Sequence, residues 1–188
     1  MDALKRKLEG MPYDIKGIDE EISIVDYDLI ILSGGRQHEV LNHEEFYKNE
    51  LALVRSIRED GPRLLGICLG FELIAHTFGS TLELLNPKEP QNVEVRVIRD
   101  DPIFKNISHM TTFESHRWRV HNLSGDLIPL ADSDYGIEAV RHKTLPLYGF
   151  QFHPEVVIDE NPNKILWNNI LTPDGVQVAS RLENQKFK

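Results

Sequence analysis

The hydrophobic pattern in the first half of the chain is that of alternating strands and helices. Two apolar runs, residues 27–35 (YDLIILSGG) and 63–68 (RLLGIC), have the composition of strands that are buried on both faces. Residues 43–60 place apolar side chains at helical spacing between these runs, and residues 69–79 do so again after the second run. This order of elements predicts a parallel sheet whose strands are joined by right-handed crossovers.

The pattern in the second half has a period of two instead. Residues 91–100 alternate apolar and polar side chains, which predicts an antiparallel strand with one face in water. Residues 161–171 have helical spacing. Further short strands are predicted over residues 110–115, 126–133, 136–142 and 146–152. We therefore predict an α/β fold with an open, mostly parallel, flavodoxin-like sheet flanked by helices, to which the second half adds antiparallel hairpins.

The two ends of the chain give weaker signals than the middle. Residues 2–10 indicate a helix and residues 13–18 a short strand, and together residues 1–26 are an atypical start for such a sheet. Residues 172–188 form a polar tail. The length suits one domain with a real core, so we expect a single domain over residues 1–188.

The charge balance limits the partners that the chain can have. Its formal net charge of −9 and sequence pI near 5.3 provide no basic surplus to neutralise phosphates, so we expect no nucleic-acid partner. No apolar run has the length of a membrane span and no secretion signal is recognisable, so we expect no membrane partner. A single cysteine cannot form an internal disulfide, which fits a reducing compartment and predicts a cytoplasmic protein. Neither a glycine-rich phosphate loop nor metal-ligand spacing is found, so we expect no cofactor and no metal.

The single cysteine, Cys68, lies where a strand pattern gives way to a helix pattern. Gly66 and Gly70 flank it in the arrangement G-x-C-x-G, the thiol counterpart of the G-x-S-x-G nucleophile elbow. Glycines at these positions would let the helix cross close to the strand, and the N-terminus of the helix would favour the thiolate. The alternative is that Cys68 is a core residue whose neighbouring glycines ease packing. The string alone leaves both interpretations open.

A candidate base stands at the end of another apolar strand, in residues 148–156 (YGFQFHPEV). His153 and Glu155 are two residues apart and project to the same side of an extended chain, and Pro154 between them favours that conformation. The carboxylate can then orient one imidazole nitrogen while the other faces a thiol, as in a catalytic triad. Taken singly, each residue is typical of a surface turn.

A third element is the glycine pair that ends the first apolar run, in residues 32–36 (LSGGR). The backbone N–H of Gly35 can turn into a site because no Cβ stands in its way. With the N–H of Leu69 it would form an oxyanion hole with two donors. An ordinary glycine turn is the alternative.

Together, the strings ILSGG, GICLG and YGFQFHPEV resemble those of class I glutamine amidotransferases, in the order of that family and over most of the chain. The resemblance implies that Cys68 is the nucleophile, His153 the general base and acid, and Glu155 the residue that orients His153. It also implies that the amides of Gly35 and Leu69 form the oxyanion hole. The implied reaction is attack of the thiolate on the side-chain amide of glutamine, release of ammonia, and hydrolysis of the thioester to glutamate.

The same resemblance indicates which residues hold the substrate. In the family, the segment matched by ESHRW helps to hold the α-amino and α-carboxylate groups of glutamine, which implies Ser115, His116 and Arg117 here, and a polar loop is the alternative. Gly34 is assigned to the substrate site as well. Family members commonly carry Gln four residues after the nucleophile, where this chain has Glu72. An ionised carboxylate lacks the donors of an amide, so Glu72 leaves glutamine binding open.

The resemblance also implies partners. Family domains usually pass ammonia to a synthase, and this chain has no room for a synthase domain. It is therefore similar to a stand-alone glutaminase subunit, for which the substrate is glutamine and the protein partner is a synthase subunit. Two alternatives stay open: the string CLGFE also resembles the folate γ-glutamyl hydrolases, which need no partner, and a catalytically silent regulatory or binding homologue is the other.

The start of the chain departs from the family, whose fold opens with an apolar central strand. Residues 1–12 indicate a helix instead, so either another segment fills that place in the sheet or the strand is missing. A missing strand would expose the edge of its neighbour and reduce the buried area. Reduced stability or dependence on a partner would follow.

Overall fold

The computed structural model describes residues 2–17, 20, 22–35, 38–85 and 91–172. Within these residues the chain forms a mixed α/β fold in which helices flank a seven-stranded sheet. The helices are α1 (Asp2–Lys7), α2 (Lys48–Ser56), α3 (Leu69–Thr77) and α4 (Glu160–Leu171). The strands are β1 (Leu29–Leu32), β2 (Arg63–Ile67), β3 (Thr81–Leu84), β4 (Gln91–Val97), β5 (His109–Glu114), β6 (Trp118–Asn122), β7 (Leu127–Ser133), β8 (Gly136–His142) and β9 (Leu147–Phe150).

The seven-stranded sheet has the order β1-β2-β9-β8-β7-β4-β5, and β3 pairs with β6 in a separate two-stranded sheet. The neighbours β1, β2 and β9 run parallel, whereas β8, β7, β4 and β5 continue the sheet by antiparallel pairing. The prediction of an α/β fold with flanking helices is confirmed, but the prediction that its sheet is mostly parallel is wrong. The reason is the short connections of the second half: two residues join β7 to β8, which suffices for antiparallel neighbours but not for a crossover. That the sheet is flavodoxin-like, with the antiparallel strands as hairpin additions to it, stays a prediction.

Most of the predicted helices and strands are found, with three differences. The helix α2 spans Lys48–Ser56 rather than residues 43–60, and residues 44–47 before it form a turn. The strand predicted over residues 13–18 is absent from the part that the structure describes, residues 13–17. The sequence does not predict β3 and β6, since β3 has four residues, none of them buried, and therefore little hydrophobic signal.

The strand β2 separates two apolar clusters, one on each face of the sheet. On one face Leu64 belongs to a cluster with Val54 of α2 and Ile74 of α3. On the other face Leu65 belongs to a cluster with Trp167 of α4. Each of these side chains is at most 4% exposed. Alternate residues of β2 therefore attach α3 to one face and α4 to the other.

The strand β1 forms one edge of the sheet, since it pairs with β2 and with no second strand of the described residues. No described segment fills the place of the first strand that the resemblance leads one to expect. None of the helices in the described ranges combines the length and the apolar character that crossing a bilayer requires. The polar tail predicted at the end of the chain lies outside the described residues from residue 173 onward.

Candidate active site

The turn from β2 into α3 holds Cys68 in an unusual backbone conformation. Cys68 is the N-cap of α3 and has φ 54° and ψ −107°, a region that residues other than glycine rarely adopt. Its N–H still extends the parallel ladder by donating to the carbonyl oxygen of Phe150 at 2.7 Å. Such a conformation costs about 1–3 kcal/mol and persists only where the surrounding contacts enforce it, which is common at functional sites.

The flanking glycines allow this turn. A Cβ on Gly66 would lie 2.5 Å from the backbone carbonyl carbon of Gly70, and a Cβ on Gly70 would lie 2.2 Å from the carbonyl oxygen of Leu32. Both distances are far inside van der Waals contact. The helix α3 therefore begins directly against β1 and β2, and the close crossing predicted from the G-x-C-x-G arrangement is confirmed.

Gly34, which follows β1, borders the side chains of both Cys68 and His153. A Cβ on Gly34 would be 3.0 Å from Cε1 of His153 and 3.6 Å from Cβ of Cys68. A Cβ on Gly35 would be 2.6 Å from Cδ2 of Leu69, so the two residues predicted to form the oxyanion hole are neighbours. The three segments that carry the predicted site thus converge at the C-terminal ends of β1, β2 and β9, where ligands of parallel sheets commonly bind.

The imidazole of His153 is oriented by a carboxylate. Nδ1 of His153 lies 2.8 Å from Oε1 of Glu155, so the N–H at Nδ1 donates to the carboxylate and Nε2 is left for another partner. The backbone N–H of His153 donates to the carbonyl oxygen of Phe113 at 2.9 Å. This bond ties the chain after β9 to β5 and fixes the backbone from which the ring projects.

The helix α4 holds the turn at Pro154. The carbonyl oxygen of Pro154 accepts hydrogen bonds from Nδ2 of Asn163 at 2.6 Å and from the indole N–H of Trp167 at 2.8 Å. Lys7 of α1 donates to Oδ1 of Asn163 at 2.5 Å and lies 5.9 Å from the centroid of the Trp167 ring. Helices from both ends of the described chain therefore hold the segment that carries the candidate base.

The thiol of Cys68 is protonated at neutral pH. Its pKa is raised to about 12, first by burial and then by the charge of Glu72, with smaller rises from Glu155 and Glu114. A hydrogen bond from the backbone N–H of Leu69 acts in the opposite direction. The helix N-terminus favours the thiolate, as predicted, through the N–H of Leu69, but Cys68 is 6% exposed and the desolvation of its sulfur raises the thiol pKa more than this hydrogen bond lowers it. A base must therefore take the thiol proton during any reaction at this sulfur.

Glu72 lies one helical turn after Cys68 and is 5% exposed. Burial raises the pKa of Glu72 to about 8, so its carboxyl is mostly neutral at pH 7. The side-chain amide of Gln151 donates to Oε1 of Glu72 at 3.4 Å and acts in the opposite direction on that pKa. A neutral carboxyl has one O–H donor, which an ionised carboxylate lacks. Burial thus weakens the objection that the sequence raises against Glu72 in a glutamine site.

The segment predicted to hold the substrate is organised around a buried histidine. Nε2 of His116 lies 3.0 Å from Oε2 of Glu114, and Nδ1 lies 2.7 Å from the carbonyl oxygen of Trp118. Since both ring nitrogens face acceptors, the buried ring links the two ends of residues 114–118. Ser115 is half-buried and Arg117 is exposed. Direct substrate contacts by Ser115, His116 and Arg117 stay predictions.

Three buried polar residues near the site are not identified from the sequence. Glu114 shares the buried face of β5 with Met110 and Thr112. The alternation of residues along the strand already places this carboxyl on the buried face, which could have marked Glu114 as a candidate site residue. Gln151 interrupts an apolar run and is 1% exposed, which is a similar signal. Asn163 gives no such signal, because polar residues are ordinary on helix surfaces and its role follows from how α4 packs.

Residues 2–172 match the family model for glutamine amidotransferase class-I. The chain therefore belongs to the class I glutamine amidotransferases and is an enzyme of that class. It is similar to a subunit of the glutamine-hydrolyzing GMP synthase of Pyrococcus abyssi, with 36% identity over 151 residues that cover 79% of this chain and 77% of that protein. The protein of the same name from Methanococcoides burtonii is 36% identical over 172 residues, which cover 88% of this chain and 86% of that protein.

A solved structure supports the same relationship. The crystal structure of a Thermoplasma acidophilum protein, provisionally described as one of the GMP synthase subunits, superposes with a TM-score of 0.62 at 29% identity. The superposition covers 99% of this chain and 81% of that one. The resemblance to the family that the three sequence strings indicate is confirmed.

Proposed function

We propose that this protein hydrolyses glutamine to glutamate and ammonia, with Cys68 as nucleophile, His153 as general base and acid, and Glu155 as the residue that orients His153. The main observation in favour is the position of Gly34, which borders both the side chain of Cys68 and the ring of His153. The backbone of Cys68 supports the same assignment, because a nucleophile presented at a strand-to-helix turn requires a strained conformation of this kind.

The proposed reaction has two steps at one sulfur. Nε2 of His153 takes the proton of the thiol as the sulfur attacks the amide carbon of glutamine, which a thiol pKa of about 12 makes necessary. The C–N bond then breaks, and His153 returns the proton to the leaving nitrogen, which departs as ammonia. Water activated by the same ring hydrolyses the thioester to glutamate and restores the thiol. Glu155 stabilises the imidazolium that forms in each step through its 2.8 Å contact with Nδ1.

Both steps place negative charge on the former amide oxygen. We propose that the backbone N–H groups of Gly35 and Leu69 bind this oxyanion. Gly35 packs against Leu69, and the N–H of Leu69 already donates to the sulfur of Cys68, so one donor is close to the reacting atom. A preorganised donor in a site shielded from water stabilises developing charge more than water does.

The rest of the glutamine molecule needs polar partners near the sulfur. We propose that residues 115–117 bind its α-amino and α-carboxylate groups, and that Gly34 and Glu72 line the site between this segment and the sulfur. The charge of Glu114 raises the pKa of Cys68, which is consistent with residues 115–117 beginning close to the thiol. Burial of Glu72 in a mostly neutral state favours glutamine binding, since a neutral acid does not repel the substrate carboxylate.

We infer that a synthase subunit consumes the ammonia. The relatives named as GMP synthase subunits cover most of this chain, and their names describe one subunit of a glutamine-hydrolysing synthase. Ammonia released into water at neutral pH is largely protonated and is then no nucleophile, so transfer to a partner preserves its reactivity. By this similarity the acceptor would be the ammonia-using subunit of a GMP synthase, with residues 1–188 as one glutaminase domain.

Glutamate release from two substrates tests the proposal. The purified chain is incubated with glutamine or with a γ-glutamyl peptide, alone and with the ammonia-using subunit of a GMP synthase, and Cys68→Ala serves as the control. We expect turnover of glutamine and its loss by at least about 1,000-fold in Cys68→Ala. Cleavage of the peptide without turnover of glutamine would identify a γ-glutamyl hydrolase instead. Failure with both substrates, even with the partner present, would identify a catalytically silent homologue.

A further inference from the structure

The buried acid Glu72 connects the helix of the nucleophile to the strand end of the base. We propose that Glu72 is a positioning residue for Cys68, whose neutral form joins α3 to the segment carrying His153 and whose ionised form opposes the thiolate. This inference rests on the proposed function, because it takes Cys68 to be the nucleophile. It concerns the pH range in which the site works, which the family relationship does not determine.

Hydrogen bonds connect Glu72 to Cys68 on one side and to a residue close to His153 on the other. The N–H of Glu72 donates to the carbonyl oxygen of Cys68 at 3.0 Å, so the two residues share the first turn of α3. The side chain of Glu72 meets the amide of Gln151 at 3.4 Å, and Gln151 lies two residues before His153. The contact between Glu72 and Gln151 therefore joins α3 to the residues that follow β9.

Gln151 can serve either protonation state of Glu72. Its Oε1 atom is buried and accepts no hydrogen bond from any described residue. Rotating the amide by half a turn exchanges the positions of its oxygen and its nitrogen. The oxygen then faces Glu72 and can accept a hydrogen bond from the protonated carboxyl. The amide nitrogen donates to the ionised form, and the amide oxygen accepts from the neutral form. The pair can thus stay hydrogen-bonded when Glu72 gains or loses its proton.

The charge on Glu72 affects the pKa of the Cys68 thiol. Burial raises the pKa of Cys68, the N-cap of α3, and the charge on Glu72 raises it further. Burial also raises the pKa of Tyr47, which precedes α2, and Glu50 and then Glu72 add smaller rises.

Glu155 and Glu114 also face the thiol, from the turn after β9 and from β5, but they raise its pKa less than Glu72 does. Of the carboxyls that act on this thiol, Glu72 has the largest effect. The ring of His153 borders Gly34, as the side chain of Cys68 does, and it is common to the wild type and Glu72→Gln, so the ratio of their rates isolates the effect of Glu72.

The direction of the pH effect follows from the two groups. The pKa of Glu72 is raised to about 8, so its carboxyl is mostly neutral below that pH and ionised above it. Ionisation adds a negative charge near the sulfur and raises the pKa of Cys68. The thiolate fraction of the wild type should therefore grow less steeply with pH on passing pH 8, whereas Glu72→Gln, which stays neutral, should show no such change of slope.

The rate constant for alkylation of Cys68 by iodoacetamide, measured from pH 6.5 to 9.5, tests this coupling without glutamine. We expect equal rates for the wild type and Glu72→Gln at pH 6.5, and an excess of about tenfold for Glu72→Gln at pH 9.5, since one unit of thiol pKa is a factor of ten. Glu59→Gln is the matched control, because Glu59 is exposed, and it should follow the wild type throughout. A ratio that does not change with pH would overturn the inference.

A second variant tests the role of Gln151. The hydrogen bond from Gln151 lowers the pKa of Glu72, so Gln151→Leu should move the change of slope to higher pH. Two results would contradict the coupling even if Glu72→Gln failed to fold. One is a wild-type pH profile of alkylation without a change of slope, and the other is a change of slope at the same pH in Gln151→Leu as in the wild type. A chain that shows the change of slope but releases no glutamate would contradict the proposed function and leave the coupling in place. Normal glutamate release together with an alkylation profile that shows no change of slope would contradict the coupling and leave the proposed function in place.

Discussion

The indole N–H of Trp167 donates a hydrogen bond of 2.8 Å to the carbonyl oxygen of Pro154, the residue between His153 and Glu155. Trp167 is 4% exposed, so this bond is shielded from water. We expect Trp167→Phe, which keeps an aromatic ring but removes the donor, to lower the free energy of unfolding by about 1–2 kcal/mol and to reduce kcat. Urea denaturation and glutamate release measure the two effects. Loss of stability with an unchanged kcat would show that the bond does not position the base.

A second donor to the same carbonyl oxygen makes a double-mutant cycle informative. Asn163 donates to the carbonyl oxygen of Pro154 as well, so either single variant, Trp167→Phe or Asn163→Leu, leaves one of these two donors in place. The double variant removes both, and we expect its loss of stability to exceed the sum of the single losses. Additive losses in urea denaturation would mean that the two bonds act independently.

The narrow space at Gly34 predicts a loss of activity from one added methyl group. The Cβ of Gly34→Ala would lie 3.0 Å from Cε1 of His153 and would push the ring away from its present position. We expect kcat/KM for glutamine to fall by about tenfold or more, because misplacement of a reacting group by about 1 Å can cost 100-fold. Gly125→Ala is the matched control, since a Cβ there meets no atom within 4 Å. Equal kcat/KM values for the two variants would contradict the proposed site.

In Gly70→Ala, helix propensity and steric contact have opposite effects on stability. Alanine is favoured over glycine inside a helix by about 1 kcal/mol, so propensity alone predicts that Gly70→Ala stabilises α3. The added Cβ would lie 2.2 Å from the carbonyl oxygen of Leu32, which belongs to a strand and cannot swing aside. We expect a net loss of at least about 2 kcal/mol in the free energy of unfolding. A variant as stable as the wild type in urea would show that α3 can move away from β1.

The buried pair of His116 and Glu114 predicts a large effect on stability. His116→Phe removes the ring that lies 3.0 Å from the carboxylate of Glu114, and the side chains are 2% and 0% exposed. Removing one member of such a pair costs about 3–5 kcal/mol, because the other charge stays buried. His121→Phe is the control at an exposed pair with Glu83, and it should leave the urea midpoint unchanged. Equal midpoints for the two variants would contradict a structural role for His116.

The site is easier to predict from the sequence than the sheet is. Cys68 and His153 each end a run of apolar residues, and parallel strands bring such ends to one edge, so the strings that carry the proposed site also indicate where they meet. The direction of the strands in the second half depends on which neighbours pair, and local alternation contains no information on that. The sequence therefore predicts the convergence of the site but overestimates the parallel part of the sheet.

The protonation states near the sulfur are beyond a sequence-based prediction. A helix N-terminus beside Cys68 favours a thiolate, and only the packed structure shows that burial of the sulfur acts more strongly and raises the pKa of the thiol to about 12. The neutral state of Glu72 at pH 7 has the same origin, because burial raises its pKa to about 8. Asn163 acts through the packing of α4, which no residue near it in the sequence signals.

Detection of a thioester on the sulfur of Cys68 tests the proposed chemistry most directly. The chain is mixed with isotopically labelled glutamine, quenched in acid within the first turnovers, and digested, and the peptide containing Cys68 is examined by mass spectrometry with Cys68→Ser as the control. We expect a labelled glutamyl group on that peptide in the wild type and neither label nor glutamate release in the control. Glutamate release at the wild-type rate by Cys68→Ser would contradict this account.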